Sequence, residues 1–338
     1  MNGSERIHKA LNGEWADRRP VMLHNFMMAA REAGYTMKEF RENPQNAADA
    51  FIQSVEKYDL DGIMIDFDTT LLAGAIGVPV DYPVNEPARI PAGMIDIWDQ
   101  MDDLADIDLS GNERIQIWLE TCSLIKKYFG DEIFVRGNCD QAPFSIASMI
   151  RGAQNWMLDL MMPGKEVVHL LEYCTKVSCQ FIELMTRTGV DMVSNGDSPA
   201  GPEMISPEMF REFALPYEEK LVEIAHNKGL PYVNHICGNT DLIIEDMLKT
   251  GTDGLELDYK TDIHLILKHL GDSKLFIGNI DPSGVLALGS IEKVRSRTRE
   301  LLEVYKDSPR LVVNAGCAIP AETPSENIRE LVKTVHNF

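Results

Sequence analysis

Positive charge is scarce in this sequence. Against 53 Asp and Glu stand 32 Lys and Arg, for a net charge of −21, and no basic run is long enough to follow a phosphate backbone. That balance argues against nucleic acid and anionic membranes as partners, and it disfavours multiply anionic substrates unless a local cationic pocket intervenes. Long apolar runs are missing as well. Nothing approaches the ~20 residues of a membrane span, and the opening MNGSERIHKALNGEW lacks the apolar stretch of a secretory leader, so a cytoplasmic protein is expected. Six cysteines in 338 residues are too few for a disulfide scaffold and are expected as reduced thiols. The glycine-rich loops that cradle dinucleotides and phosphates are not found. What remains, 44% hydrophobic and 25% charged, is the composition of a folded globular chain.

Eight short apolar or β-branched runs recur along the chain: 20–26, 62–68, 133–139, 192–197, 231–237, 254–258, 275–281 and 311–317. Between them lie segments of helical periodicity, among them Asn46–Tyr58, Lys165–Arg187, Pro207–Lys228, Asp241–Lys249, Ile291–Tyr305 and Thr323–His336. Alternation of this kind predicts a parallel sheet, and eight repeats predict a closed (β/α)8 TIM barrel rather than an open sheet. The chain then forms one domain, 1–338, with a helical prelude over 1–19 and a long insertion over 69–132, whose Pro-rich YPVNEPARIPAG reads as a rim or lid. Each run ends in polar residues on the carboxyl side, where barrel enzymes carry their chemistry: His24 and Asn25, Asp66 and Asp68, Asn138 and Asp140, Asn195 and Asp197, His235 and Cys237, Glu256 and Asp258, Asn279 and Asp281, then Asn314 and Cys317.

Residues two apart on a strand share a face, so the imidazole of His235 and the thiol of Cys237 both point to the barrel axis. Cys317, at the end of the eighth strand, offers a third soft ligand. Two thiolates and an imidazole with an open position suit a catalytic zinc ion. The fourth position is assigned first to Asp258, a displaceable carboxylate, and second to Glu256 on the same face. Cys122, Cys174 and Cys179 fall in helical patterns and read as packing; Cys139 ends a strand and stays open. Zinc with two thiolate ligands is suited to activating another thiol, which makes alkyl transfer to sulfur the natural reaction class.

The segments NHICGNTDLIIEDMLKTGTDGLELD, FIGNIDPSGVL and NAGCAIPAETPSENIREL resemble the zinc-dependent corrinoid methyltransferases of the uroporphyrinogen decarboxylase superfamily. ERIHKALNGEWADRRPV, REAGYTMKEFRENP, FDTTLLAGAIG and SPEMFREFALPY extend that resemblance over nearly the whole chain. True decarboxylases are matched less well. Tyr35 stands where one of two substrate-holding arginines is expected, Met149 falls near the catalytic tyrosine, and Cys317 replaces the active-site histidine; Asp68 alone matches their central aspartate.

The methyltransferase resemblance implies that His235, Cys237 and Cys317 hold zinc, and that a methyl group passes between a corrinoid on a separate small protein and a small acceptor such as a thiol. The reverse half-reaction, from a methoxy or methylamine donor, is equally compatible. It further implies chemical roles for Asp68, Asn195 and Asp197, and contacts to the bound groups from Ser198, Asn279 and Asp281; Asp258 takes a chemical role as the displaceable ligand, and His24, without a family counterpart, is read as helping to define the small substrate. Arg136 and Arg31 are the candidates for an anionic acceptor's cation, with a salt-bridged structural role favoured for Arg136. The pairs Met27–Met28 and Met161–Met162 could line an apolar corrinoid face, although gap-filling is the preferred reading. A decarboxylase-like lyase acting through Asp68, and a metal-holding barrel without turnover, are the alternatives.

Overall fold

Each barrel strand is a short apolar run stopped by a turn residue. In the computed structural model, which describes residues 1–104 and 106–338, these are β1 (Met22–Leu23), β2 (Gly62–Ile65), β3 (Phe134–Gln141), β4 (Met192–Gly196), β5 (Tyr232–Ile236), β6 (Gly254–Leu257), β7 (Leu275–Ile280) and β8 (Leu311–Ala315). All neighbours pair in parallel and in sequence order. A parallel bridge between Val21 and Val313 joins the last strand to the first, so the sheet curls into the expected (β/α)8 barrel.

The period of two along each strand decides what the barrel holds. Met22, Phe134, Met192, Val233, Leu275, Ile277 and Val312 form a single buried cluster with Ile7 and Ala10 of the helix Gly3–Asn12. This is the barrel floor, plugged from below by that helix. The helix begins at a capping box between Asn2 and Glu5 and ends at Gly13, whose φ of 74° suits a residue without a Cβ. Two residues further along the same strands the inward positions are His24, Arg136, Ser194, His235, Asn279 and Asn314. The floor is therefore apolar and the upper half of the lumen polar.

The N-terminal prelude is helical only as far as Asn12. The expected helix Pro207–Lys228 is two helices, Pro207–Phe213 and Leu215–Asn227, because Pro216 has no N–H to donate and disfavours helical geometry in the residue before it. Within 69–132, the helix Glu113–Phe129 packs on Pro44–Tyr58 and β3 as a regular crossover between β2 and β3, and the irregular part ends at Asn112. Arg41 ties that part down, donating to the carbonyls of Pro83 and Glu86. Among the described residues no helix is long and apolar enough to cross a membrane.

One ion pair crosses the lumen. Arg136 of β3 meets Glu256 of β6 at 2.5 Å, both side chains being fully buried. Burial alone would raise the Glu256 carboxyl, but Arg136 and then His235 hold it below the ordinary carboxylate range. Removing one partner strands a buried charge, so Arg136→Met is expected to lower unfolding free energy by about 3–5 kcal/mol, and Arg136→Met with Glu256→Leu to regain part of that loss. Urea midpoints for the two variants check this; equal loss in both would assign the effect to packing alone.

Candidate metal centre

Three donor atoms converge at the carboxyl-terminal mouth. Cys237 Sγ lies 3.0 Å from His235 Nε2 and 3.3 Å from Cys317 Sγ, and the three ligand atoms all fall within 4.8 Å of one another. The second imidazole nitrogen is already committed: His235 Nδ1 is 3.0 Å from the carbonyl oxygen of Glu256 and donates to it. That bond commits Nδ1 and turns Nε2 toward the sulfurs, the outer support that metal-binding histidines need. The hydrogen bond between the thiols, together with His235, draws Cys237 well below its ordinary value, while Cys317 moves up. Two partly exposed cysteine sulfurs beside a buried imidazole are a donor set that can hold one soft or borderline metal ion.

Backbone packing brings these strands together. Gly238 turns the chain after Cys237 at φ 86°, and its N–H donates to Asp258 Oδ2 at 3.0 Å. Thr261 Oγ1 accepts from Thr240 N and donates to the Gly238 carbonyl, lacing the loop after β5 to the loop after β6. Cys317 arrives because Gly316 rests against the backbone of Asp258 and Tyr259; a Cβ there would sit 2.8 Å from Tyr259 N. Ser198 Oγ accepts from Cys237 N at 3.3 Å and so supports the ligand strand from the β4 side.

Several residues expected at the site stand elsewhere. Asp258 and Glu256 both lie outside the three-atom cluster. The Asp258 carboxylate accepts from Gly238 N and Lys260 N, with burial raising it, and Glu256 is spent on Arg136 and Asn314. Asn195 and Asp197 have the opposite parity to Met192 and face the helical shell. Asn195 donates to the carbonyls of Cys139 and Gln141 and accepts from Tyr232, while Asp197 accepts from Ser145; burial, and then Asp197, pushes the neighbouring Glu218 carboxyl well up. Asp281 caps the turn Pro282–Ala287 by accepting from Ser283 and Gly284. With Asn279, Tyr259 and Lys293 it lines a cleft of about 560 Å³ on the rim.

Asp68 is buried, which raises its carboxyl; Thr70 and then Arg41, at 3.9 Å, oppose that rise. Arg136 is locked to Glu256, and Arg31 is exposed and donates to the Ala321 carbonyl. Cys139 shares the outward parity and is buried away from the three donors. Met28 is buried, whereas Met161 and Met162 are exposed. His24 bonds Asp66 at 2.7 Å. The sequence signal for this pair was only their position at strand ends, and for Ser198 under Cys237 it was the family resemblance of its loop.

Fold and site together define a (β/α)8 barrel with a His-Cys-Cys cluster at its carboxyl-terminal mouth whose donor atoms could hold a metal ion. A family model described as uroporphyrinogen decarboxylase (URO-D) matches residues 2–338, and the chain belongs to that family. It is similar to MtbA of Methanosarcina acetivorans, a methylcobamide:CoM methyltransferase, at 26% identity over 99% of this chain and 97% of the relative. A uroporphyrinogen decarboxylase from Prochlorococcus marinus is 28% identical over 88% of this chain and 85% of its own length. A solved structure described as a methyltransferase from Methanosarcina mazei superposes with a TM-score of 0.90 at 24% identity, covering 100% of this chain and 99% of the other.

The close approach at Gly316 gives a direct test. Gly316→Ala is expected to push Cys317 away and weaken metal affinity by about 10–100-fold, the range for residues that support ligands. Cys139→Ala is expected to leave affinity unchanged. Metal titration of chelator-stripped protein reads both, and an unaffected Gly316→Ala variant would show that Cys317 does not need this packing.

Proposed function

We propose that this chain is a zinc-dependent methyltransferase that moves a methyl group between a corrinoid, carried on a separate small protein, and a small acceptor such as a thiol, or runs the converse half-reaction from a methoxy or methylamine donor. The observation that carries this reading is the convergence of His235 Nε2, Cys237 Sγ and Cys317 Sγ, with His235 Nδ1 already bonded to the Glu256 carbonyl. These three side chains would hold zinc. When bound, zinc with two thiolate ligands promotes loss of a substrate thiol's proton while leaving the sulfur nucleophilic.

The residues around the centre orient it and choose the substrate. Glu256 and Ser198 hold the ligand strand, through the His235 ring and the Cys237 amide. The similarity to proteins named as methylcobamide:CoM methyltransferases supports the corrinoid as co-substrate. A protein partner at the mouth is supported by large apolar side chains exposed on successive rim loops, Met204, Leu242, Tyr259 and Leu288. Against a porphyrinogen stands the commitment of two arginines: Arg41 donates to the Pro83 and Glu86 carbonyls, and Arg136 is paired with Glu256.

Purified protein is expected to carry about one zinc per chain, as a three-ligand catalytic site does, and to generate a cobalt(I) spectrum from methylcobalamin and a suitable thiol. Cys237→Ser with Cys317→Ser should abolish both. Asp258→Ala should keep the metal and alter thiol kinetics. Full zinc retention in the double serine variant would refute the assignment, and chelator-insensitive turnover of a porphyrinogen would favour the decarboxylase instead.

A further inference from the structure

His24 has a partner on one ring nitrogen and none on the other. Its Nε2 is 2.7 Å from Asp66 Oδ2. Asp66 Oδ1 in turn accepts from Asn138 Nδ2 at 3.1 Å and from Phe67 N at 2.9 Å. Accepting at both oxygens, Asp66 takes the Nε2–H of the neutral imidazole and leaves the lone pair on Nδ1. That Nδ1 is buried without any protein partner. A buried ring nitrogen with no partner is an exception that calls for a ligand.

The ring is held rather than free to turn. It stacks on Phe26, with centroids 5.7 Å apart and planes 29° apart. The His24 backbone is pinned on both sides to the segment that carries Cys317: its N–H donates to Asn314 Oδ1 at 3.1 Å, and its carbonyl accepts from Ile319 N at 2.8 Å. Asn314 also donates to Glu256 Oε1, so His24, the Arg136–Glu256 pair and the ligand His235 belong to one bonded framework. His24 has the inward parity of Met22 and lies at the carboxyl end of its strand, the end that forms the mouth.

We infer that the His24–Asp66 pair is the proton acceptor for the heteroatom substrate at this mouth, with His24 Nδ1 taking the proton of a neutral thiol as sulfur is methylated. This rests on the methyltransfer reading above. The sulfur lone pair forms the new S–C bond, the C–Co bond breaks with its electron pair left on cobalt, and the S–H proton passes to Nδ1. Run in reverse on a methoxy donor, the same nitrogen returns a proton to the departing oxygen. Asp66 is a positioning residue: it orients the ring and stabilises the imidazolium, as the carboxylate does in other carboxylate–histidine pairs. The acceptor class that follows is a small molecule whose reacting group carries a proton, S–H or O–H.

The first test needs neither metal nor turnover. Nitrogen NMR of the full chain labelled at its eight histidines should show His24, assigned by loss of its signals in His24→Asn, as the neutral tautomer protonated on Nε2; a proton on Nδ1 overturns the proposal. Asp66→Asn should abolish that tautomer preference. The second test is single-turnover demethylation of methylcobalamin by the zinc-loaded protein with a thiol, in H2O and D2O. His24→Asn and His24→Gln should slow methyl transfer by about 100-fold or more, the usual worth of a positioned base, with zinc content and thiol KM held and the solvent isotope effect of the wild type lost. Wild-type rates in both variants would sink the His24 assignment alone. Failure of the wild-type protein to transfer methyl groups to any thiol would overturn the functional reading and this inference with it.

Discussion

The buried pair between Arg136 and Glu256 is the constraint on which the rest of the lumen depends. It crosses from β3 to β6 directly above the apolar floor. Two charges taken out of water there persist only because each is further bonded: Arg136 to Ser194, and Glu256 to Asn314. Those secondary bonds fix the side chains of the next layer. Ser194 donates to Asn138, which donates to Asp66, and Asp66 holds His24; Asn314 accepts from the His24 amide. The Glu256 carbonyl commits His235 Nδ1. A single ion pair thus positions groups on both sides of the mouth.

The mouth that results has two unlike halves. One, built by β5 and β8, offers sulfur and imidazole as ligands for a metal ion. The other, built by β1 to β3, is a carboxylate-rich wall of His24, Asp66, Asp68 and Asp140, in which burial and the neighbouring acids push the Asp140 carboxyl well up. Arg41 and Arg136 beside it are paired with protein acceptors, which weakens its pull on an anion. That local chemistry agrees with the whole-chain charge of −21 in favouring a neutral or weakly charged substrate.

Much of this was legible in the sequence, for definable reasons. The eight strands showed because parallel barrel strands are buried on both faces and read as apolar runs. The His235–Cys237 pair showed because ligands two apart on one strand share a face whatever the rest of the chain does. The split at Pro216 could also have been read locally. Asn195 and Asp197 were misleading: their strand ends at the mouth, but parity is counted from the floor, and only Met192 in the floor cluster reveals that these two face the helices. Asp258 was similarly deceptive, since its face is right but its carboxylate is occupied by the amides of its own loop and the loop after β5.

The sequence by itself determined the barrel, the order of its elements and which residue types could meet a metal ion, because these follow from local periodicity and donor chemistry. Tertiary structure decided which donors actually converge. Cys317 reaches Cys237 only because a glycine allows β8 to close against the end of β6, and His24 gains a free ring nitrogen only because Asp66, forty-two residues away, claims the other. Such choices depend on backbone approach and on competition among partners distant in sequence, and neither is encoded in any single segment.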